Sequence, residues 1–108
     1  MMTLILNGKT SEPIDITSFS RVLDVADTNV RFNLDFHFEG NYSAAGVEYL
    51  AEYADNAITS IYITNENGDV LLDNGTIQGK LRSLSESCDG TGRRGYGAIA
   101  IYENGATL

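Results

Sequence analysis

The chain is poor in the residues on which catalysis, metal binding and nucleic-acid binding depend. Its 108 residues include one histidine, one cysteine, one proline and no tryptophan. Seven basic residues stand against 15 acidic ones, which gives a formal net charge of −8. Nucleic-acid binding needs clustered basic side chains that displace counterions, and anionic membranes attract the same residues. We therefore expect no direct contact with nucleic acid or membranes, and we assign the acidity mainly to solubility.

Long apolar runs are missing as well. No run approaches the ~20 residues that span a bilayer, and the first residues lack the basic region of a signal peptide. Cys88 has no second cysteine to pair with, which is typical of a reducing compartment. With 43% hydrophobic residues the chain can still build one core. We expect a single domain over residues 1–108.

Alternation of apolar and polar residues is clearest over residues 30–38. A period of two is typical of a strand with one buried and one solvated face. It predicts that Phe32, Leu34 and Phe36 lie in the core. The apolar members of the pattern are Val30, Phe32, Leu34, Phe36 and Phe38.

Further strands are predicted on both sides of this segment. Residues 4–6 form a short strand, and residues 13–25 hold one or two more. Residues 58–64 and 70–73 form a hairpin around a loop that ends at Gly68. A two-residue turn would oppose Glu66 to Asp69, so a three-residue loop with Gly68 in the left-handed conformation is favoured.

A second predicted hairpin pairs residues 77–88 with residues 96–103 across a glycine-rich loop. Leu81 and Leu84 break the strict alternation, which indicates a bulge near Ser83.

One helix is predicted over residues 43–55, where the apolar period changes from two to 3.6. Ser43 is a suitable N-cap, and Tyr42 before it can pack on Val47. The predicted core stripe is Val47, Leu50, Ala51 and Ala54.

The predicted order is β-β-β-α-β-β-β-β, with about seven strands and one α-helix. Hairpin connections make the pairing antiparallel, and the helix covers a face or an open end. The fold class is therefore mainly β (α+β), as an antiparallel β-sandwich or a part-open barrel.

No group of residues predicts catalysis or a cofactor. His37 lies on the solvated face of the predicted strand at residues 30–38, and Asp89 beside Cys88 disfavours a thiolate. Asp35, His37 and Glu39 share a strand face, but ~7 Å between neighbours is too far for one metal ion without a further ligand. Residues 90–95 match G-x-G-x-x-G by letter but lead into a strand instead of a helix, so they predict a mobile hairpin loop.

The candidate partner-binding residues are Arg93, Arg94, Tyr49 and Tyr53. Arg93 and Arg94 lie in the predicted loop, where forked donors suit the carboxylates of a protein partner, including a second copy of this acidic chain. Tyr49 and Tyr53 are four residues apart beside the helix stripe, and tyrosine is favoured at interfaces. A half-buried pair flanking the core explains these tyrosines equally well.

Several segments resemble one group of proteins. The opening Leu4-Ile5-Leu6-Asn7-Gly8-Lys9, followed by residues 15–21, is similar to small proteins encoded in the head and tail gene clusters of phages and prophages of Gram-positive bacteria. The similarity continues through residues 58–61, Asn67-Gly68 and residues 79–86, and it carries no functional residue.

The resemblance implies a phage-encoded structural or assembly protein, in the virion or the bacterial host cytoplasm, that acts through a protein partner or as a homo-oligomer. The alternative is an acidic inhibitor that occupies the nucleic-acid site of a host defence protein, as anti-CRISPR proteins do. An enzyme is not expected.

Overall fold

The computed structural model describes residues 1–42 and 44–102 as one seven-stranded antiparallel sheet with one short helix. This confirms the predicted fold class. The strands are β1 (Met2–Leu6), β2 (Ile14–Ile16), β3 (Ser18–Val22), β4 (Val30–Gly40), β5 (Ile58–Thr64), β6 (Val70–Asp89) and β7 (Gly92–Tyr102), and the helix is Val47–Ala54.

The sheet curls on itself because its two edge strands are the two halves of one bent segment. The strand order is β2-β1-β5-β6-β7-β4-β3, and Thr17 is the single residue between β2 and β3. The Thr17 N–H donates to the His37 carbonyl at 2.8 Å. Strands that bend and change partner make the corners of such folds. Of the two predicted architectures, this connection favours the barrel.

The barrel stays partly open beside the second half of β6. The β5–β6 ladder ends where Ile58 meets Gly79, whereas β6 continues against β7 as far as Asp89. Within the described residues, β7 is the strand that pairs with this half of β6. The architecture is thus a part-open barrel.

The core contains the inward-facing side chains of the strands and one side of the helix. Leu34 and Phe36 are fully buried, as predicted. Phe32 is only partly buried and packs against the core. The guanidinium of Arg21 lies 5.6 Å from the Phe32 ring centre. The prediction that Phe32 lies in the core is therefore only partly confirmed, since its ring packs against the core without being fully buried.

The hairpin details follow the sequence closely. Gly68 has φ +82°, and its N–H donates to the Asn65 carbonyl at 3.0 Å, which confirms the three-residue loop. The β6–β7 register shifts between Leu81 and Ser83, which confirms the bulge. Residues 70–73 and 77–88 are one strand instead of two, because a left-handed Gly75 lets β6 continue through the irregularity. Four strands therefore precede the helix and three follow it.

The helix is shorter than predicted and is a 3-10 helix instead of an α-helix. It starts at Val47 after Gly46, which has φ +67° and whose added Cβ would lie 2.0 Å from the Pro13 carbonyl oxygen. The predicted cap Ser43 lies outside the described residues, as does the predicted strand end at 103. Tyr42 is 49% exposed and donates its hydroxyl hydrogen to the Asp89 carbonyl, so it does not serve as a buried staple.

Candidate contact surfaces

The predicted glycine-rich hairpin loop is a tight turn, and most of its residues belong to the two strands. β6 runs to Asp89 and β7 begins at Gly92, so two residues connect them. The Thr91 N–H donates to Asp89 Oδ1 at 2.7 Å, and this holds the turn. At Gly92 an added Cβ would lie 2.2 Å from the Gly40 carbonyl oxygen. The glycine therefore permits close strand approach, and the connection is a two-residue turn between long strands.

Arg93 projects to the inner side of the sheet and is used within the molecule. Its Nη1 donates to Glu48 Oε2 of the helix at 2.9 Å, and its Nε lies 3.3 Å from Glu86 Oε2 on β6. The side chain is 21% exposed. Two internal carboxylates already surround the guanidinium, so Arg93 ties the helix to β6 and offers little to a partner.

Arg94 projects to the opposite side and remains accessible. Its side chain is 53% exposed, and its Nη2 lies 3.2 Å from an Asp89 carboxylate oxygen that belongs to an equally exposed side chain. An exposed pair of this kind contributes only ~0–1 kcal/mol, so a partner's carboxylate can replace it. Arg94 therefore stays a candidate contact residue.

The two helix tyrosines do not lie side by side. Tyr53 is 3% exposed and belongs to the core, whereas Tyr49 is half-buried. In a 3-10 helix, residues three apart share a face, which brings Tyr53 below Val47 and Leu50. Burial raises the pKa of the Tyr53 phenol, and the ammonium of Lys9 lies 5.8 Å from its ring centre. The expectation of an accessible Tyr53 is wrong, and Tyr49 remains a candidate.

The outer face of β3, β4, β7 and β6 forms a shallow polar surface, of which the sequence indicated the solvated face of β4. The strand register brings His37 beside Tyr96, with ring centres 5.9 Å apart, and Arg94 beside Glu39. A groove of about 420 Å³ runs between these side chains and Ser18. Ser18 Oγ and His37 Nδ1 are 3.4 Å apart, at the long limit for a hydrogen bond. Tyr96 and Arg94 are of residue types enriched at protein contacts.

Candidate metal ligands are not gathered in the described part of the chain. Among residues 1–42 and 44–102, no three histidine, cysteine or carboxylate side chains lie close enough to hold an ion. His37 and Glu39 point to solvent, and Cys88 is exposed on β6. A membrane-spanning helix is likewise not found among the described residues.

The most exposed apolar side chains lie in the β3–β4 connection. Leu23 is 79% exposed and Val25 95%, and Val22, the last residue of β3, is 41% exposed; we call these three residues the apolar loop. Asp24 between them is fixed. Its Oδ1 accepts the N–H groups of Ala26 at 3.0 Å and Asp27 at 3.1 Å.

The second carboxylate oxygen of Asp24 fixes the loop to the barrel. Oδ2 accepts the Asn33 side-chain amide at 3.2 Å and the Arg82 guanidinium, and the Asp24 side chain is only 10% exposed. The bond from Asn33, followed by those from the Ala26 N–H and Arg82, lowers the Asp24 pKa below its ordinary value. The apolar loop is therefore held by its centre while its apolar side chains face water.

An apolar groove lies elsewhere on the barrel, on the outer side of β1, β5 and β6. Ile5 faces Tyr62 across the β1–β5 ladder, and Tyr62 faces Asp73 across the β5–β6 ladder. The groove has a volume of about 330 Å³, and no heavy atom lies within 4 Å of where a Cβ on Gly75 would stand. We call it the apolar groove; its lining also includes Gly8, Thr10, Ser60, Ile61 and Thr76.

Comparison with known proteins gives no assignment. No protein-family model, no curated protein and no solved structure matches this chain.

Proposed function

We propose that this chain is a non-enzymatic, phage-encoded structural or assembly protein, a virion- or tail-associated module that acts through protein–protein contacts. The observation that carries the proposal is the apolar loop. Contiguous exposed apolar side chains mark contact sites, because burying them in a partner removes them from water. Asp24 fixes the loop before binding, which lowers the entropy cost of association.

Two further features support this proposal. The outer face around His37 presents the exposed side chains of Tyr96 and Arg94, and tyrosine and arginine are enriched at contact surfaces. The resemblance of residues 4–9 and 15–21 to head- and tail-cluster proteins favours a role in the virion.

The charge favours a second candidate, an acidic phage-encoded inhibitor that occupies a nucleic-acid site of a host defence protein in the host cytoplasm. The net charge is −8, with 15 acidic residues against seven basic ones. A surface of this sign complements the basic groove of a nucleic-acid-binding protein. Such an inhibitor would bind one partner stoichiometrically instead of assembling with itself.

Two measurements separate these functions. If the chain is a virion component, mass spectrometry should detect it in purified phage particles. Light scattering of the isolated chain should then show higher oligomers. Leu23→Ser combined with Val25→Ser should prevent incorporation into particles. Val70→Ser, which removes a half-exposed valine outside the apolar loop, should not. A monomeric chain that is missing from particles and competes with nucleic acid for a basic partner would establish the inhibitor instead.

A further inference from the structure

The molecule carries an apolar projection and an apolar depression at different places. The apolar loop projects Leu23 and Val25 into water, and the apolar groove presents Ile5 and Tyr62 below the gap at Gly75. Each surface exposes apolar atoms that the other surface can cover.

The two surfaces of one copy are held apart by β6. The apolar loop is bound through Asp24 to Arg82, whereas Asp73 lines the groove on the same strand. Nine residue steps of β6 separate Asp73 from Arg82, up to about 30 Å along the strand. A contact between loop and groove therefore joins two different copies.

We propose that the apolar loop of one copy docks in the apolar groove of a second copy, so that the chain assembles head to tail. This inference rests on the proposed function and names the partner as this same chain. A contact between two different patches is heterologous, and it produces rings where the rotation closes and open filaments where it does not.

Charge complementarity supports a second copy as the occupant. Within residues 21–31, Arg21 and Arg31 balance Asp24 and Asp27, so this hairpin is neutral in a chain of net charge −8. Like-charged copies approach most easily where their local charge is lowest. Arg21 and Arg31 are exposed at the base of the hairpin, and the groove is lined by exposed Asp73. Docking places opposite charges together at the rim of an apolar contact.

The experiment uses one variant for each surface. Leu23→Ser with Val25→Ser removes the anchors of the apolar loop and leaves the groove intact. Thr76→Arg places a long cation in the groove, next to the arginines of an incoming loop, and leaves the loop intact. Thr76 is exposed on β6, so the barrel should tolerate the change, and circular dichroism with thermal melting checks that both variants fold.

Sedimentation from micromolar to millimolar concentration should show wild-type assemblies, with association weakened about a hundredfold or more in each variant. Val70→Ser should assemble like the wild type. Mixing the two folded variants should produce a 1:1 dimer and nothing larger, because one retains a loop, the other retains a groove, and the remaining surfaces are disabled.

Three results would overturn the inference: a wild type that is monomeric throughout, variants that assemble normally, or a mixture that stays monomeric. These results leave the proposed function separately testable. A chain incorporated into particles through its apolar loop, but monomeric in isolation, would retain the structural role with a different protein as partner. A chain that assembles by the loop but is missing from particles would refute the virion role and leave the self-contact standing.

Discussion

Asp24 is the residue on which the proposed contact depends most directly. In Asp24→Asn one side-chain oxygen is kept for the Ala26 and Asp27 N–H groups, but the other becomes an NH2 group that opposes the Asn33 amide and Arg82. We expect amide exchange at Ala26 and Asp27 to accelerate, while the unfolding midpoint changes little. Hydrogen exchange by NMR measures this.

Asp27→Asn is the matched control for Asp24→Asn. Asp27 Oδ1 accepts one N–H, from Asn29 at 3.0 Å, which an amide oxygen also accepts. Equal exchange rates in the two variants would show that Asp24 does not hold the loop.

The same carboxyl predicts how the loop responds to pH. Its pKa is lowered from an ordinary 3.8, with the Asn33 hydrogen bond as the largest cause. A depressed folded-state pKa means that the ionised form stabilises the ordered loop. That stabilisation is complete above pH 3.8 and is lost as the pH falls through the lower folded value. Amide protection at Ala26 should therefore persist at pH 4 and disappear on further acidification; loss between pH 7 and pH 5 would contradict it.

Phe36 tests the core assignment. Its ring is fully buried and lies over Gly97, where an added Cβ would stand 2.5 Å from Phe36 Cζ. Phe36→Ala should therefore cost ~3–5 kcal/mol of unfolding free energy, a large part of the stability of a small domain. Phe32→Ala is the control and should cost clearly less, because this ring is only partly buried. Denaturant unfolding gives both values, and the reverse order would mean that the register of β4 is different.

At the scale of elements, Arg93 connects the helix to the β6–β7 hairpin. Arg93→Gln removes the charge opposite Glu48 and Glu86, and we expect a loss of about 1 kcal/mol, the upper end for partly exposed pairs. Arg94→Gln breaks one exposed pair and should cost close to nothing. Denaturant midpoints compare the two. A larger loss in Arg94→Gln would show that the hairpin is held from its outer side.

The elements also show where sequence reasoning was sufficient. Alternation located β4, and the like-charge argument at Glu66 predicted the loop that ends at Gly68, because both depend on neighbouring residues. The helix location was confirmed, but its type was not. A 3.6 period predicted Ala51 and Ala54 inside, whereas a 3-10 turn exposes them and buries Tyr53. The contacts of Gly46 with the Pro13 segment constrain the helix start, and no local pattern reports them.

The candidate surfaces were harder to predict, because strand register and long-range bonds create them. Residues 90–95 contain three glycines, which indicated mobility, but Gly92 and Gly95 permit close contact with Gly40 and Ser85. The apolar loop depends on Asp24 meeting Arg82, 58 residues away along the chain. The available signal was a carboxylate between exposed apolar residues. It could be interpreted only once the fold was known, because β7 lies between β6 and β4 and brings Arg82 close to the β3–β4 connection.

At the scale of the whole molecule, Thr17 decides whether the sheet behaves as one closed unit. Its N–H and hydroxyl both donate to the His37 carbonyl, at 2.8 and 3.3 Å, where the edge segment passes from β1 to β4. Thr17→Pro removes both donors at once. Proline is tolerated in edge strands where its missing N–H makes no ladder bond, so this substitution tests the bonds to the His37 carbonyl. We expect a loss of ~1–3 kcal/mol, since the carbonyl loses its protein partners.

Thr17→Ser keeps both donors and should unfold like the wild type. If β2 and β3 close the barrel, amide exchange in β1 and in β4 should accelerate together in Thr17→Pro, because both strands lose the same neighbour. Unfolding should nevertheless remain a single transition, since the core crosses the whole sheet. Faster exchange confined to β4 would mean that β3 is an independent edge strand, and the sheet would then be open at Thr17 instead of closed through it.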